Sequence, residues 1–212
     1  DMISREGEAR DFVARRCDAA AMDRLDRLVA LLKQENARQN LVSATSIDSI
    51  WRRHIADSAQ LLDLMPEPPA GSLMDLGSGA GFPGLVLAAI RPVIEVRLVE
   101  SRRLRIDWLN RCVEALNLAN CTVFGARVEA LPDAKAGILT ARAFAPLPKL
   151  IDLARRFSTK DTVWLLPKGR SGAQEVADLP KTLRHMFHVE QSVTDADAGI
   201  VVGRGLTEAA GK

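Results

Sequence analysis

At 212 residues, 47% apolar and 26% charged, the chain has the make-up of one ordinary globular domain with room for an appended helical segment. A formal net charge of +2 excludes a polycation that binds by bulk charge, although most of the 29 basic residues are arginines, which suit phosphates and base edges. Cys17, Cys112 and Cys121 have no metal-ligand spacing and are odd in number, which predicts structural thiols in a reducing compartment and no metal. With no secretory signal and no apolar run of membrane length, the expected location is cytoplasmic, and the polar surface pattern predicts a monomer.

In chain order, Ile3 to Cys17 predicts a short helix. Met22 to Asn36 predicts a better one, with Met22, Leu25, Leu28, Val29 and Leu32 at helical spacing. A third helix starts near Ser46 or Asp48, either able to cap it, and carries Ile50, Ile55, Ala59, Leu62 and Met65 on its apolar face. The Pro-rich stretch from Pro66 to Gly71 ends it and divides a helical extension, 1–70, from the main unit, 71–205; a floppy tail, 206–212, follows.

From Ser72 short apolar strands alternate with helices. Strands are predicted at Leu73 to Leu76, Glu95 to Glu100, Cys121 to Gly125, Ile138 to Ala143 and Thr162 to Leu166. Helices are predicted at Leu85 to Ile90, at Arg102 to Asn117 with Leu104, Trp108, Leu109, Cys112, Val113 and Leu116 inward, at Pro146 to Phe157, and in two parts across Gly172 to Met186. Phe187 to Val193 and Ile200 to Val202 read as a closing antiparallel hairpin. This alternation predicts an α/β fold, a mainly parallel sheet covered on both faces.

The first strand runs into Gly77-Ser78-Gly79-Ala80-Gly81-Phe82-Pro83-Gly84, a tight turn that presents backbone N–H groups and a helix start to a ligand. Gly79-x-Gly81-x-x-Gly84 also matches a dinucleotide fingerprint, so hydride transfer is weighed beside adenosyl binding. Asp75 separates the two, because a carboxylate there repels a pyrophosphate and suits a cationic ammonium. Glu100, ending the second strand, suits two ribose hydroxyls of either ligand. Ser101 follows it, and Arg127-Val128-Glu129 after the third strand is placed to meet an adenine edge. Arg142, at the end of the fourth strand, is a costly charge unless paired or bound to a ligand. Arg53, His54 and Asp57 fall within one helical turn of the extension. No Asp/Asn-Pro-Pro-aromatic motif grips an exocyclic amine, and no cysteine is placed to attack a pyrimidine.

Taken in order, Asn40-Leu41-Val42-Ser43, Arg53 to Ser58, Asp75 to Gly84, Arg127-Val128-Glu129, Ala141 to Ala145 and Lys168-Gly169 closely resemble the bacterial 16S rRNA (guanine-N7)-methyltransferase G family, also called the glucose-inhibited division protein B family. The resemblance spans about Ala30 to Gly203. It implies a class I, Rossmann-like methyltransferase fold with a seven-stranded sheet and S-adenosylmethionine as cofactor. It also implies methylation of one guanine N7 in the decoding-region 530 loop of 16S rRNA, naked or in the small subunit. Carried over by position, it implies Gly77, Phe82, Val128, Glu129 and Arg142 at the cofactor. Glu100 stands where relatives have Asp, and Thr140 where they have Ser.

Guanine N7 carries its own in-plane lone pair, so the expected chemistry is in-line methyl transfer without a general base, driven by orientation. Arg142, Arg53 or Lys168 is expected to donate to guanine O6, with His54 and Asp57 shaping the pocket. Arg91, Arg97, Arg102, Arg103, Arg105 and Arg111 form a basic concentration suited to rRNA phosphates. Two other readings stay open at this point, a nicotinamide-dependent oxidoreductase and a non-catalytic RNA-binding module on the same fold.

Overall fold

The computed structural model of the chain describes residues 1–67 and 71–205. The predicted tail lies outside the described residues, as do Pro68, Pro69 and Ala70 of the predicted boundary.

Helix α1 spans Glu6–Ala14 and α2 spans Ala19–Glu35. The second begins earlier than its apolar period suggests, because the Asp18 carboxylate accepts the Ala21 N–H at 2.8 Å and caps it. Leu25, Leu28 and Leu32 are fully buried on its inner face, each contributing roughly 1.5–3 kcal/mol.

The predicted third helix is broken instead. A short α3, Ala44–Ile47, is capped by Ser43 rather than by Ser46 or Asp48: Ser43 Oγ accepts the Ser46 N–H at 3.2 Å. A wide π-type turn, Trp51–Ala56, then passes into α4, Asp57–Ala59, and a tight 3-10 turn, Gln60–Leu64. Such widening recurs at functional sites. Glu6 of α1 holds the start of this turn, its Oε2 and Oε1 accepting the Trp51 and Arg52 N–H groups at 3.0 and 2.8 Å. His54, Ile55 and Ala56 point inward as a result, and Arg53 points out.

Seven strands form one sheet: β1 Leu73–Leu76, β2 Val96–Glu100, β3 Cys121–Gly125, β4 Ile138–Ala141, β5 Val163–Lys168, β6 Phe187–Gln191 and β7 Gly199–Arg204. Their order is β3-β2-β1-β4-β5-β7-β6. The first five are parallel, and β7 runs antiparallel to both β5 and β6. The mainly parallel sheet with a terminal hairpin is the architecture expected from the sequence. Between strands lie α5 (Gly84–Ile90), α6 (Arg103–Ala115), α7 (Leu147–Ala154), α8 (Gly172–Ala177) and α9 (Lys181–Arg184).

Two cores flank the sheet. Phe12, Leu25, Ile55, Leu85 and Trp108 belong to one, so the N-terminal helices and α5 share a core on the same face. Leu150, Phe157 and Trp164 belong to the other. Leu104 is not inward as its spacing suggested: it is 65% exposed at the start of α6. Strand β4 stops at Ala141 rather than Ala143, because Ala143 turns to φ +50°, where an L-residue other than glycine is strained.

The chain passes from β1 outward through β2 to β3, then returns to place β4 on the other side of β1. Ligands bind at the strand C-termini where such an order reverses. That point lies between Gly77, after β1, and Arg142, after β4.

Candidate active site

Two cavities open at this end of the sheet. The first, about 910 Å³, is lined by the glycine turn (Gly77 to Ala80), Phe82, Glu100, Ser101, residues 126–130 and residues 142–145. Gly77, Gly79 and Gly81 have φ values of +66°, +57° and +111°, the left-handed backbone that makes the turn possible. A Cβ at Gly77 would overlap the Phe144 ring, so this glycine sets how closely the two walls approach. A Cβ at Gly79 would meet nothing nearer than 3.8 Å.

Glu100 is held at the floor of this cavity. Its Oε2 accepts the Gly79 N–H at 2.8 Å, and its Oε1 accepts the Ser101 and Arg102 N–H groups at 3.2 and 3.1 Å. The buried carboxylate therefore ties the β1 turn to the end of β2 and keeps lone pairs for further donors. Val128 is buried in the facing wall, while Arg127 and Glu129 are exposed at its rim.

The second cavity, about 870 Å³, is lined by Arg52, Arg53, His54 and Asp57, residues 142–146, residues 167–169, and the β6–β7 hairpin from Ser192 to Ile200. Both cavities share the wall Arg142-Ala143-Phe144-Ala145.

Arg142 is fixed from three sides. One guanidinium nitrogen donates to Asp57 Oδ2 at 3.3 Å and the other to His54 Nδ1 at 3.0 Å. Its Cζ sits 5.6 Å from the Phe82 ring centroid, and Phe82 in turn stacks on His54 at 4.9 Å. A guanidinium only donates, so His54 Nδ1 must accept. The ring proton is then on Nε2, which donates to Ser46 Oγ at 2.9 Å, while that hydroxyl donates to Ser43 O at 3.0 Å. Burial first, then Arg142 and Arg53, push the His54 pKa down to about 3, so the ring is neutral. Asp57 also accepts from Thr194 Oγ1 at 2.7 Å and Gln60 Nε2 at 3.1 Å, which fastens the hairpin to the N-terminal helices.

A profile of the family described as rRNA small subunit methyltransferase G matches residues 21–200. The chain belongs to that family. The Ribosomal RNA small subunit methyltransferase G of Erythrobacter litoralis (strain HTCC2594) is 58% identical over 204 residues, 96% of this chain and 98% of that protein. The protein so named from Novosphingobium aromaticivorans is 54% identical over 190 residues, 89% of this chain and 83% of that one. The structure of an RNA methyltransferase from Salinibacter ruber, in complex with S-adenosyl-L-homocysteine, matches with a TM-score of 0.55 at 12% identity, over 73% of this chain and 94% of that chain. The shared feature is the class I methyltransferase fold.

In this member of the methyltransferase G family, most of the residues singled out in the sequence fall on one cavity or the other. Gly77, Gly79, Phe82, Glu100, Ser101, Arg127, Val128 and Glu129 line the first, and Arg53, His54, Asp57 and Lys168 line the second. Arg142 lines both. Several roles change. Asp75 does not face a ligand: it is fully buried, with Oδ1 accepting from Thr140 Oγ1 at 2.7 Å and Oδ2 from the Gly84 N–H at 3.2 Å. Gly81 lies outside the lining and acts through its φ. Lys168 commits two of its three ammonium protons, to Ala145 O at 2.9 Å and Glu175 Oε1 at 3.2 Å, and so braces the shared wall.

The six-arginine concentration is not one patch. Arg91, between α5 and β2, donates to Arg16 O, Arg97 pairs with Glu95, and Arg111 pairs with Glu35. Arg102 and Arg105 line the first cavity, and Arg103 is exposed beside them. Sequence reasoning gave Ser46 only as a candidate helix cap and did not single out Gln60, Thr194 and Glu175; all four hold the second cavity together from distant parts of the chain. Phe144 sat unassigned within the Ala-Arg-Ala-Phe-Ala motif, the one signal that could have found it.

Proposed function

We propose that the chain transfers a methyl group from S-adenosylmethionine to N7 of a guanine in the decoding-region 530 loop of 16S rRNA, naked or in the small subunit. The observation that carries this reading is the shared wall: two cavities of comparable size meet across Arg142 to Ala145. That is what transfer between a bound cofactor and a bound base requires. The first cavity fits the cofactor. Glu100, immobilised at its floor, suits a pair of vicinal hydroxyls; Val128 and Leu153 offer apolar surface to a purine ring; the glycine turn leaves backbone against the remainder. When bound, S-adenosylmethionine supplies an electrophilic methyl group on a sulfonium.

The chain's part is orientation. Arg142 is held rigidly at the junction and is the donor best placed for guanine O6, which adjoins N7. His54 positions Arg142 rather than serving as a base: both ring nitrogens are engaged, and the ring has no free lone pair. Guanine N7 needs no deprotonation, so the arrangement lacks nothing for the reaction. Arg53, exposed on the second cavity and without a partner among the described residues, suits the RNA backbone.

The test is incubation of unmodified 16S rRNA and of small subunits with S-adenosylmethionine, then nuclease digestion and mass spectrometry. Appearance of 7-methylguanosine in a fragment from the decoding region supports the reading. Methylation at another atom, or calorimetric binding of NAD in place of S-adenosylmethionine, overturns it.

A further inference from the structure

Three carboxylates line the second cavity: Asp57, Glu175 and Asp195. The first two are consumed. Asp57 accepts from Thr194, Gln60 and Arg142. Glu175 Oε1 accepts the Leu147 N–H at 2.9 Å and Lys168 at 3.2 Å, while Oε2 accepts Ser171 Oγ at 2.6 Å. Asp195 differs. Its Oδ1 accepts the Asp197 N–H at 2.9 Å, and its Oδ2 has no partner among the described residues. The neighbouring hydroxyls of Ser192 and Thr194 bond each other at 3.0 Å, and Thr194 continues to Asp57.

The segment carrying Asp195 is also held in place. Val193 N donates to Gln60 Oε1 at 3.0 Å, and Val193 O accepts the Ile3 N–H at 2.8 Å. Through Thr194 and Asp57 the hairpin is two hydrogen bonds from Arg142. An anchored, half-free anion on the wall of an RNA site is electrostatically wrong for phosphate. Asp195 is exposed, so water covers Oδ2 in the free chain, and a donor brought by a bound base can replace that water.

Guanine has one. N7 and O6 share one edge, whereas N1–H and the N2 amino group are donors on the opposite edge. With N7 facing the junction at Arg142, the donor edge turns toward the rest of the second cavity, whose lining includes Asp195 on the hairpin. A carboxylate accepts two parallel N–H bonds there, which adenine cannot supply. We propose that Asp195 reads the Watson–Crick edge of the acceptor guanine and makes the second cavity selective for guanine over adenine. This rests on the function proposed above.

The test starts with the wild-type chain on unmodified rRNA. Absence of 7-methylguanosine overturns the parent reading and this one together. With that product present, Asp195→Asn separates the roles. Its Oδ1 still accepts the Asp197 N–H, so a loop-stabilising role predicts wild-type activity. A reading role predicts a roughly tenfold to hundredfold fall in kcat/KM, because the amide turns donors toward donors. RNA affinity at low salt should hold or rise, since a negative charge is removed. Replacing the target guanosine by inosine, which lacks the N2 amino group, should slow the wild type several-fold and leave the variant unaffected. Equal inosine sensitivity in both, or an Asp195→Asn rate at or above wild type, would overturn the assignment.

Discussion

The two cavities differ in how they are built. The first is built where adjacent parallel strands end: the glycine turn after β1, the end of β2 and the loops after β3 and β4 supply most of it, and much of its shape is backbone geometry. The second is assembled from four distant stretches around residues 54, 142, 168 and 194, and its shape is a buried polar network. A backbone-built site suits a ligand whose form is constant, and a side-chain network suits one that must be selected. The difference teaches where each will fail. The first should break by steric intrusion and the second by loss of a partner.

The largest effect is expected at the junction. Arg142→Ala removes the shared donor and leaves Asp57 Oδ2 and the His54 Nδ1 lone pair unmatched. Single-turnover methylation at saturating S-adenosylmethionine should fall by about a hundredfold or more. Arg142→Lys should restore little, because an ammonium cannot span both His54 and Asp57. Wild-type rates for Arg142→Ala would remove it from the chemistry and leave the shared wall without a function.

Next comes the backbone-built side. Gly77→Ala places a methyl group into the Phe144 ring and forces an L-residue to φ +66°. Cofactor affinity by calorimetry should drop by about tenfold or more. Gly79→Ala meets open space and bears only the cost of its φ of +57°, about 1 kcal/mol, so it should bind several-fold better than Gly77→Ala. Equal losses would mean that φ strain alone, and not the Phe144 contact, sets the cavity.

This contrast also explains what the sequence revealed. The sheet, its strand ends and the first cavity were legible because Gly77 to Gly84, Glu100 and Val128 each sit at the end of an apolar run or just after one, where the strand ends of such a sheet meet a ligand. The second cavity was legible only as motifs. Nothing local to His54 shows that Ser46 accepts its proton, and nothing near Asp57 points to Thr194. The π-type turn was invisible because Glu6, which holds it, lies in another helix. Leu104 misled because its helical spacing continues past the point where the core ends.

Asp75 gives the smallest and sharpest test, since it separates a ligand-facing acid from a buried strut. Its neighbours are Thr140, opposite it in register on β4, and Gly84, where a Cβ would lie 2.6 Å from Asp75 Oδ2. Burial, partly offset by these hydrogen bonds, raises its pKa from 3.8 to about 6. The sign follows. Above pH 6 the group is ionised folded and unfolded, and burying the charge opposes folding. Below about pH 4 it is protonated in both states and that cost is gone. The shift corresponds to about 3 kcal/mol at most, less the hydrogen bonds an amide makes less well. Asp75→Asn should therefore be more stable than wild type by about 1–2 kcal/mol in urea unfolding at pH 8, with the gap closing as pH falls from 6 to 4. Cofactor affinity should change by less than about threefold, since the side chain reaches no cavity. A loss comparable to that of Gly77→Ala, with no stability gain at pH 8, would return Asp75 to the ligand and make the two cavities less different than their construction implies.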